Sequence, residues 1–321
     1  MIYKNECGPR LSILLVTYNH EKYIEKAINS IFFQTLEGPV ELVIADDGSS
    51  DNTLTIIREH EGRDPRFQFK YLDGNSNIGI TRNYQRGFAA CTGTYVAVLE
   101  GDDYWVSSLK LKHQCDFLDN FYGCDLCSVN YFVYQEDQAS FTIRTAIGNG
   151  HRFISARELI ADNIIGNFST CMYRKSGLEK LPPAIFSIKS YDWIVNICIA
   201  RYSLIGFLEE PMSVYRLHSN GVWAQKPHVE KLKEQLGLIP AYDELTMHIF
   251  KNDFENLSNC LKHNIITSSV EDAVADTCKP FARILPNILD FMPPIILTLS
   301  RSLLPPKLKR SIVRIFFRGV A

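Results

Sequence analysis

The apolar run Leu11–Thr17, L-S-I-L-L-V-T, is rich in branched side chains and predicts a strand buried on both faces. After a turn at Tyr18 to His20, apolar residues at Tyr23, Ile24, Ala27, Ile28, Ile31 and Phe32 recur at helical spacing. Glu41–Ala45 predicts a second strand, followed by turn and cap residues from Asp46 to Asp51 and a helix over Thr53–Glu61. Phe67–Leu72 reads as a third strand, Arg82–Ala90 as a helix, and Tyr95–Leu99 as a fourth strand that stops at Glu100-Gly101-Asp102-Asp103. Strands alternating with helices predict an α/β fold with a mostly parallel sheet, right-handed crossovers and flanking helices. Ligands of such sheets gather beyond the carboxyl ends of the strands, where Tyr18, Asp46-Asp47 and Asp102-Asp103 fall.

The second half is less regular. Cys124–Tyr134 and Phe168–Tyr173 read as strands with a short helix Ala156–Ala161 between them, then a helix Asp192–Arg201 and a strand Leu204–Leu208. From Val229 to Leu261 the pattern is helical with mixed charge, as in a small appended region. Between Phe291 and Ala321 no acidic residue occurs, while Arg301, Lys307, Lys309, Arg310, Arg314 and Arg318 interrupt aliphatic and aromatic positions. Such a tail can lie on an anionic membrane surface or pack as a helix on the domain; the exclusion of acids favours the membrane.

With 321 residues, 46% of them hydrophobic, the chain can bury a large core. Its 34 basic and 36 acidic residues nearly cancel, so no global field points to nucleic acid as a partner. Nine cysteines, scattered from Cys7 to Cys278, fit a reducing cytoplasm better than a disulfide framework. Cys124 and Cys127 form a lone C-x-x-C that reads first as buried thiols and only then as a metal or redox pair. Met1 to Arg10 lacks the apolar stretch of a secretory signal, and no run of about 18 uncharged apolar residues occurs. The expected location is the cytoplasm, peripheral on the inner face of the membrane.

Two carboxylates fixed after a buried strand, Asp102 and Asp103, can hold Mg²⁺ or Mn²⁺ together with a diphosphate, though a turn or helix cap uses the same residues. Asp46 or Asp47 can accept hydrogen bonds from a pyrimidine imide or a ribose hydroxyl, or shape a turn. No G-x-G-x-x-G follows any strand, which argues against a dinucleotide-binding oxidoreductase. A sugar-nucleotide-forming nucleotidyltransferase would need a Gly- and Arg/Lys-rich loop near the N-terminus, and Leu11 to His20 has none. A catalytically silent nucleotide-sugar binding protein remains a third reading, disfavoured by the presence of both Asp103 and Asp192.

The ordered segments V-T-Y-N (Val16–Asn19), A-D-D-G-S-S-D (Ala45–Asp51), N-I-G-I-T-R-N (Asn77–Asn83), L-E-G-D-D-Y-W (Leu99–Trp105), Tyr191-Asp192-Trp193 and Val214–Ser219 resemble family 2 glycosyltransferases of the bacterial surface-polysaccharide type. The resemblance spans about residues 10 to 225. It implies the GT-A fold and inverting transfer from a UDP- or dTDP-sugar to an acceptor hydroxyl of a polysaccharide or lipid-linked glycan. It further implies a catalytic domain over 1–225, with a nucleotide-binding half at about 10–105 and an acceptor-binding half at 106–225. A helical appendage at 226–290 and the basic tail at 291–321 would follow. Thr17, Tyr18, Asp46, Asp47, Arg82 and Asp102 would bind the nucleotide sugar, with Tyr18 near the base and Asp47 on the base or ribose. Asp103 would be the main metal ligand, His218 would reach the metal or diphosphate, and Asp192 would be the general base, a role compatible with capping its helix. Glu100 replaces the usual aspartate, Ser190-Tyr191 replace the usual Glu or Gly before Asp192, and Trp105 and Trp223 read as core anchors or sugar platforms.

Overall fold

A computed structural model describes residues 9–189, 192–219, 221 and 226–284, with side chains as far as residue 269. Ser190, Tyr191, Trp223 and the basic tail at 291–321 lie outside the described residues. The first half runs β1 (Leu11–Thr17), α1 (Ile24–Phe32), β2 (Val40–Asp46), α2 (Thr53–Arg58), β3 (Phe67–Tyr71), α3 (Ile80–Ala90) and β4 (Tyr95–Glu100). It continues with β5 (Tyr104–Trp105), α4 (Lys110–Asn120), β6 (Cys124–Gln135), β7 (Ser140–Ile143), β8 (His151–Ile154) and α5 (Ala156–Ala161). The remainder is β9 (Cys171–Arg174), α6 (Lys175–Leu178), α7 (Asp192–Ile199), β10 (Leu204–Leu217), α8 (His228–Leu245) and α9 (Lys251–Ile284).

One ten-stranded sheet carries the order β3-β2-β1-β4-β9-β6-β10-β5, with β7 on β6 and β8 on β10. β3, β2, β1 and β4 are parallel, as the alternation predicts, whereas β9 runs antiparallel to both β4 and β6. The chain leaves β1 toward β2 and β3 and returns to β4 on the other side of β1, with Val16 paired to Glu100. The carboxyl ends of β1 and β4 therefore flank the crevice where such sheets bind ligands.

Alternate positions on these strands feed two cores. Leu14, Val16, Val96 and Val98 join Tyr84 and Phe88 of α3 and Trp193 of α7, while Ile13, Leu15, Ala97 and Leu99 join Ile24, Ile28 and Ile31 of α1. Two sequence readings shift. Phe168–Thr170 is a short 3-10 turn that precedes β9, because its residues wrap toward the β4 end instead of pairing. Leu204–Leu208 is only the start of β10, which bulges at Leu208/Pro211 and continues to Leu217. The chain divides into units 1–262 and 263–321. Ile239, Tyr242 and Leu245 of α8, with Phe250, Phe254 and Leu261, are buried in the same core as α7. Cys124 and Cys127 are free, buried thiols on β6.

Candidate active site

Gly101 and Gly48 shape the crevice. A Cβ on Gly101 would stand 2.7 Å from Thr17 Oγ1 and 2.8 Å from His20 Nδ1, so only glycine lets the loop after β4 close on the end of β1. Gly48 has φ +77°, and a Cβ there would meet the backbone of Ser76 and Asn77 at 2.8 Å. Asp46 shapes the same turn, accepting hydrogen bonds from the Gly48 and Ser49 N–H groups at 3.1 and 2.8 Å and from the Ser49 hydroxyl. Its neighbour Asp47 accepts from the Ile78 and Gly79 N–H groups at 2.8 and 3.1 Å, which ties the β2 end to the loop before α3.

Two cavities open above these strand ends. The smaller, about 220 Å³, is lined by Thr17, Tyr18, His20, Asp47, Asn77 and Asn83, among others. The larger, about 510 Å³, holds Asp192, Asn163, Tyr131, Tyr215, Arg216 and His218, and α8 supplies part of its wall. Ile80, Glu100, Asp102 and Gly221 line both. Asp102 and Glu100 are thus the acidic side chains at the junction.

The acidic loop divides its work differently from the expectation. Asp103 is 1% exposed and lines neither cavity. Its Oδ1 accepts from the Arg216 N–H at 2.8 Å, and its Oδ2 from the Ser169 hydroxyl at 2.7 Å and from Asn167. The Asp103 carboxyl therefore pins β10 and the 3-10 turn to the β4 end. Asp102 instead has its Oδ2 at 3.0 Å from His218 Nε2 and 3.8 Å from His20 Nε2. Burial acts against its charge, but the His218 hydrogen bond and the two imidazoles hold its pKa below the ordinary carboxylate range. Glu100 goes the other way: burial first, then the charges of Asp103 and Asp102, raise its pKa well above the ordinary value. Tyr84 donates to Glu100 Oε1 at 2.7 Å.

His218 is 5% exposed, lies tilted against Tyr23 with ring centroids 4.6 Å apart, and leaves its Nδ1 buried without a partner among the described residues. Arg216 donates through Nε to the Asp102 carbonyl at 2.9 Å and sits over the rings of Tyr23, Tyr104 and Tyr134. Asp192 opens α7, and its Oδ2 accepts from Asn163 Nδ2 at 3.0 Å. Burial raises its pKa to about 7, with the Asn163 bond opposing. The structure thus brings together Thr17, Tyr18, Asp47, Asp102, His218 and Asp192. It leaves out Asp46, turned into its own loop, and Arg82, exposed on α3 and lining neither cavity. Trp105 is 2% exposed and donates to the Ser169 carbonyl at 2.8 Å, so it is a core anchor.

Sequence reasoning missed His20, Asn163 and the part played by Glu100. Strand parity carries a signal for Glu100: it shares the face of Val96 and Val98, the core of α3 and α7, toward which the larger cavity opens. Asn163 lies in a connection after α5 with no periodic signal.

The family model described as Glycosyl transferase family 2 matches residues 12–181. The chain belongs to this family. An uncharacterized protein of Mycobacterium tuberculosis is 35% identical to this family 2 chain over 213 residues, covering 66% of the chain and 60% of the relative. The chain thus spans about three fifths of that relative's length. The putative teichuronic acid biosynthesis glycosyltransferase TuaG of Bacillus subtilis is 26% identical over 68% of the chain and 83% of TuaG. Among solved structures, S. aureus TarS 1–349 in complex with UDP-GlcNAc superposes with TM-score 0.53 at 19% identity, covering 77% of this chain and 73% of that one. The mannosyltransferase PcManGT of Pyrobaculum calidifontis, in complex with GDP-Man and Mn²⁺, gives TM-score 0.53 at 13% identity over 86% and 84%. These likenesses are of fold, and the fold is GT-A.

Proposed function

We propose that this family 2 chain transfers a sugar from a nucleoside-diphosphate donor to an acceptor hydroxyl with inversion, with Asp192 as general base. The observation that carries the reading is the position of Asp102 at the junction of the two cavities, with Asp192 in the larger and Tyr18 and Asp47 in the smaller. The nucleoside occupies the smaller cavity, where Tyr18, 45% exposed, offers a ring face to the base. The diphosphate lies at Asp102, and the sugar and acceptor meet in the larger cavity.

A divalent cation fits the donor set at the junction. Among the described residues no cluster of three or more His, Cys, Asp or Glu side chains is arranged for a metal, so the site suits an ion that takes part of its shell from diphosphate oxygens and water. Asp102 and His218 Nε2 would hold it, with Mn²⁺ accepting the imidazole more readily than Mg²⁺. Bound there, the ion would stabilise the charge that develops on the departing diphosphate. This replaces Asp103 by Asp102 as the expected ligand, because the oxygens of Asp103 are occupied inside the protein.

The chain's own residues do the rest. Asp192 takes the proton of the attacking hydroxyl while Asn163 orients its carboxylate, and a carboxylate poised near neutrality suits general-base work. Glu100, whose pKa is raised by burial and by the neighbouring carboxylates, lines both cavities beside Asp102, within reach of a donor hydroxyl. Nucleotide release from UDP-, dTDP- and GDP-sugars, measured with and without Mn²⁺, tests the reading. Release from none of them in the presence of glycan acceptors would reject it. UDP or dTDP is the proposed donor nucleotide, and release from the GDP-sugar alone would reject that choice.

The acceptor belongs to a polysaccharide or lipid-linked glycan in this proposal, made on the cytoplasmic face of the membrane with the tail at 291–321 as the contact. Support is the lack of acidic residues from Phe291 onward. Among the described residues no helix is long and apolar enough to cross a membrane. Deleting residues 291–321 should move the protein from liposomes containing anionic lipid to the supernatant; an unchanged distribution would reject the contact.

A further inference from the structure

One wall of the larger cavity is α8, which contributes His228, Lys231, Leu232, Gln235, Leu238 and Tyr242. Positions 228, 231, 235, 238 and 242 step by three and four, so they form a single stripe along one helix face. The stripe is graded. Its first turn carries His228 and Lys231, Gln235 follows, and the far end is apolar.

The apolar end is anchored near the reacting centre, since the Tyr242 and Trp193 rings lie 6.0 Å apart edge to face and Trp193 adjoins Asp192 in α7. Lys231 stands eleven residues earlier, roughly 16 Å along the helix axis. It does not serve as counter-charge to Asp192, whose pKa is raised by burial and opposed only by hydrogen bonds, from Asn163 and from the backbone. The nearby acidic residue on α8, Glu234, is taken by Lys189 and Lys226. Among the described residues neither His228 nor Lys231 has an ion pair or a side-chain hydrogen bond. Lys231 is half-buried on the cavity wall, and with no anionic partner among the described residues its ammonium is available to an anionic ligand.

The donor diphosphate lies at the junction beside Asp102, whereas His228 and Lys231 line only the larger cavity, on the wall that α8 supplies to the acceptor side. The family model also ends at residue 181, so α8 belongs to the part of the chain that the match leaves uncovered. We propose that α8 selects an anionic acceptor, with Lys231 and His228 contacting a phosphate or carboxylate group remote from the attacked hydroxyl. This inference rests on the sugar-transfer reading above.

The test titrates the full chain, with and without saturating UDP and Mn²⁺, with three probes: N-acetylglucosamine 1-phosphate, methyl β-glucuronide and neutral methyl β-glucoside. The wild-type protein should bind one of the anionic probes at least about tenfold more tightly than the glucoside, the scale of one charge-assisted hydrogen bond. Preference between the two anions separates a phosphate-bearing acceptor from a uronate. The double variant Lys231→Gln/His228→Gln should lose the difference, while Lys233→Gln, exposed on the same helix, should keep it. Equal affinity for all three probes, or a double variant that still discriminates, would overturn the proposal. So would a double variant in which UDP–Mn²⁺ affinity falls by the same factor, since Lys231 and His228 would then serve the donor. If no nucleoside diphosphate binds, sugar transfer fails as a reading, and the titrations without nucleotide still decide whether the wall takes an anion.

Discussion

Replacing Asp192 by asparagine should slow transfer severely and yet stabilise the protein at alkaline pH. Burial raises the Asp192 pKa from 3.8 to about 7. The folded chain therefore holds a proton that the unfolded chain releases between about pH 4 and pH 7. Its stabilising contribution is fully present below the unfolded pKa and is lost as pH rises through about 7. Above that, the ionised carboxylate costs at most roughly 4 kcal/mol, three pKa units at about 1.4 kcal/mol each, and less in practice because Asp192 is only partly buried on the wall of the larger cavity. Asparagine keeps the shape and removes that cost, so the variant's urea midpoint should exceed wild type at pH 8.5 and approach it at pH 5. As a base, Asp192 is about one tenth ionised at pH 6 and about nine tenths at pH 8, so wild-type kcat/KM should rise roughly tenfold across that interval. The variant should lose about 10²-fold or more in kcat while its affinity for nucleotide is kept. A flat wild-type pH profile from 5.5 to 8.5, or near-normal turnover by Asp192→Asn, would place the base elsewhere. A variant less stable than wild type at pH 8.5 would refute the burial argument itself.

Asn163→Ala removes the hydrogen bond that opposes the rise, so the kcat/KM profile should shift to higher pH by up to about one unit; an unchanged or acid-shifted midpoint would contradict the assignment. Asp102→Asn should weaken Mn²⁺-dependent UDP binding at least about tenfold, and EDTA should do the same to wild type, whereas Asp103→Ala should chiefly destabilise, by about 3 kcal/mol in urea unfolding, by orphaning three donors. The reverse pattern would restore Asp103 as the ligand. Gly101→Ala should force the β1 and β4 ends apart and weaken UDP binding, read by calorimetry, since its Cβ would meet Thr17 and His20 below 3 Å. Lys110 is fully buried, with Nζ 2.8 Å from Gln114 and burial lowering its pKa to about 7. Lys110→Met should therefore gain roughly 1 to 3 kcal/mol at pH 7, shrinking as pH rises toward 10, because the unfolded lysine is protonated throughout that window and the folded one is not.

The parallel half was legible because its strands are buried on both faces: Leu11–Thr17 has every residue buried, and the continuous apolar run ends at the residue where the strand ends. The mixed half was not, since β7 and β8 are short and largely exposed, and β9 follows a turn, Phe168–Thr170, that reads as part of the strand. The same distinction explains the acidic loop. Sequence identified Asp102 and Asp103 as a pair at a strand end, but which carboxylate faces the ligand depends on what the other touches. Those partners, Asn167, Ser169 and the backbone of Arg216, arrive from 64 to 113 residues away. A pattern confined to four consecutive residues holds no record of them. The role of α8 was hidden for a related reason: its pattern reads as amphipathic helix in either case, and only the burial of Ile239, Tyr242 and Leu245 against α7 makes it a wall of the site. Chemistry spread over distant elements is therefore read from a sequence as residue types at strand ends, and the division of labour among them follows from packing.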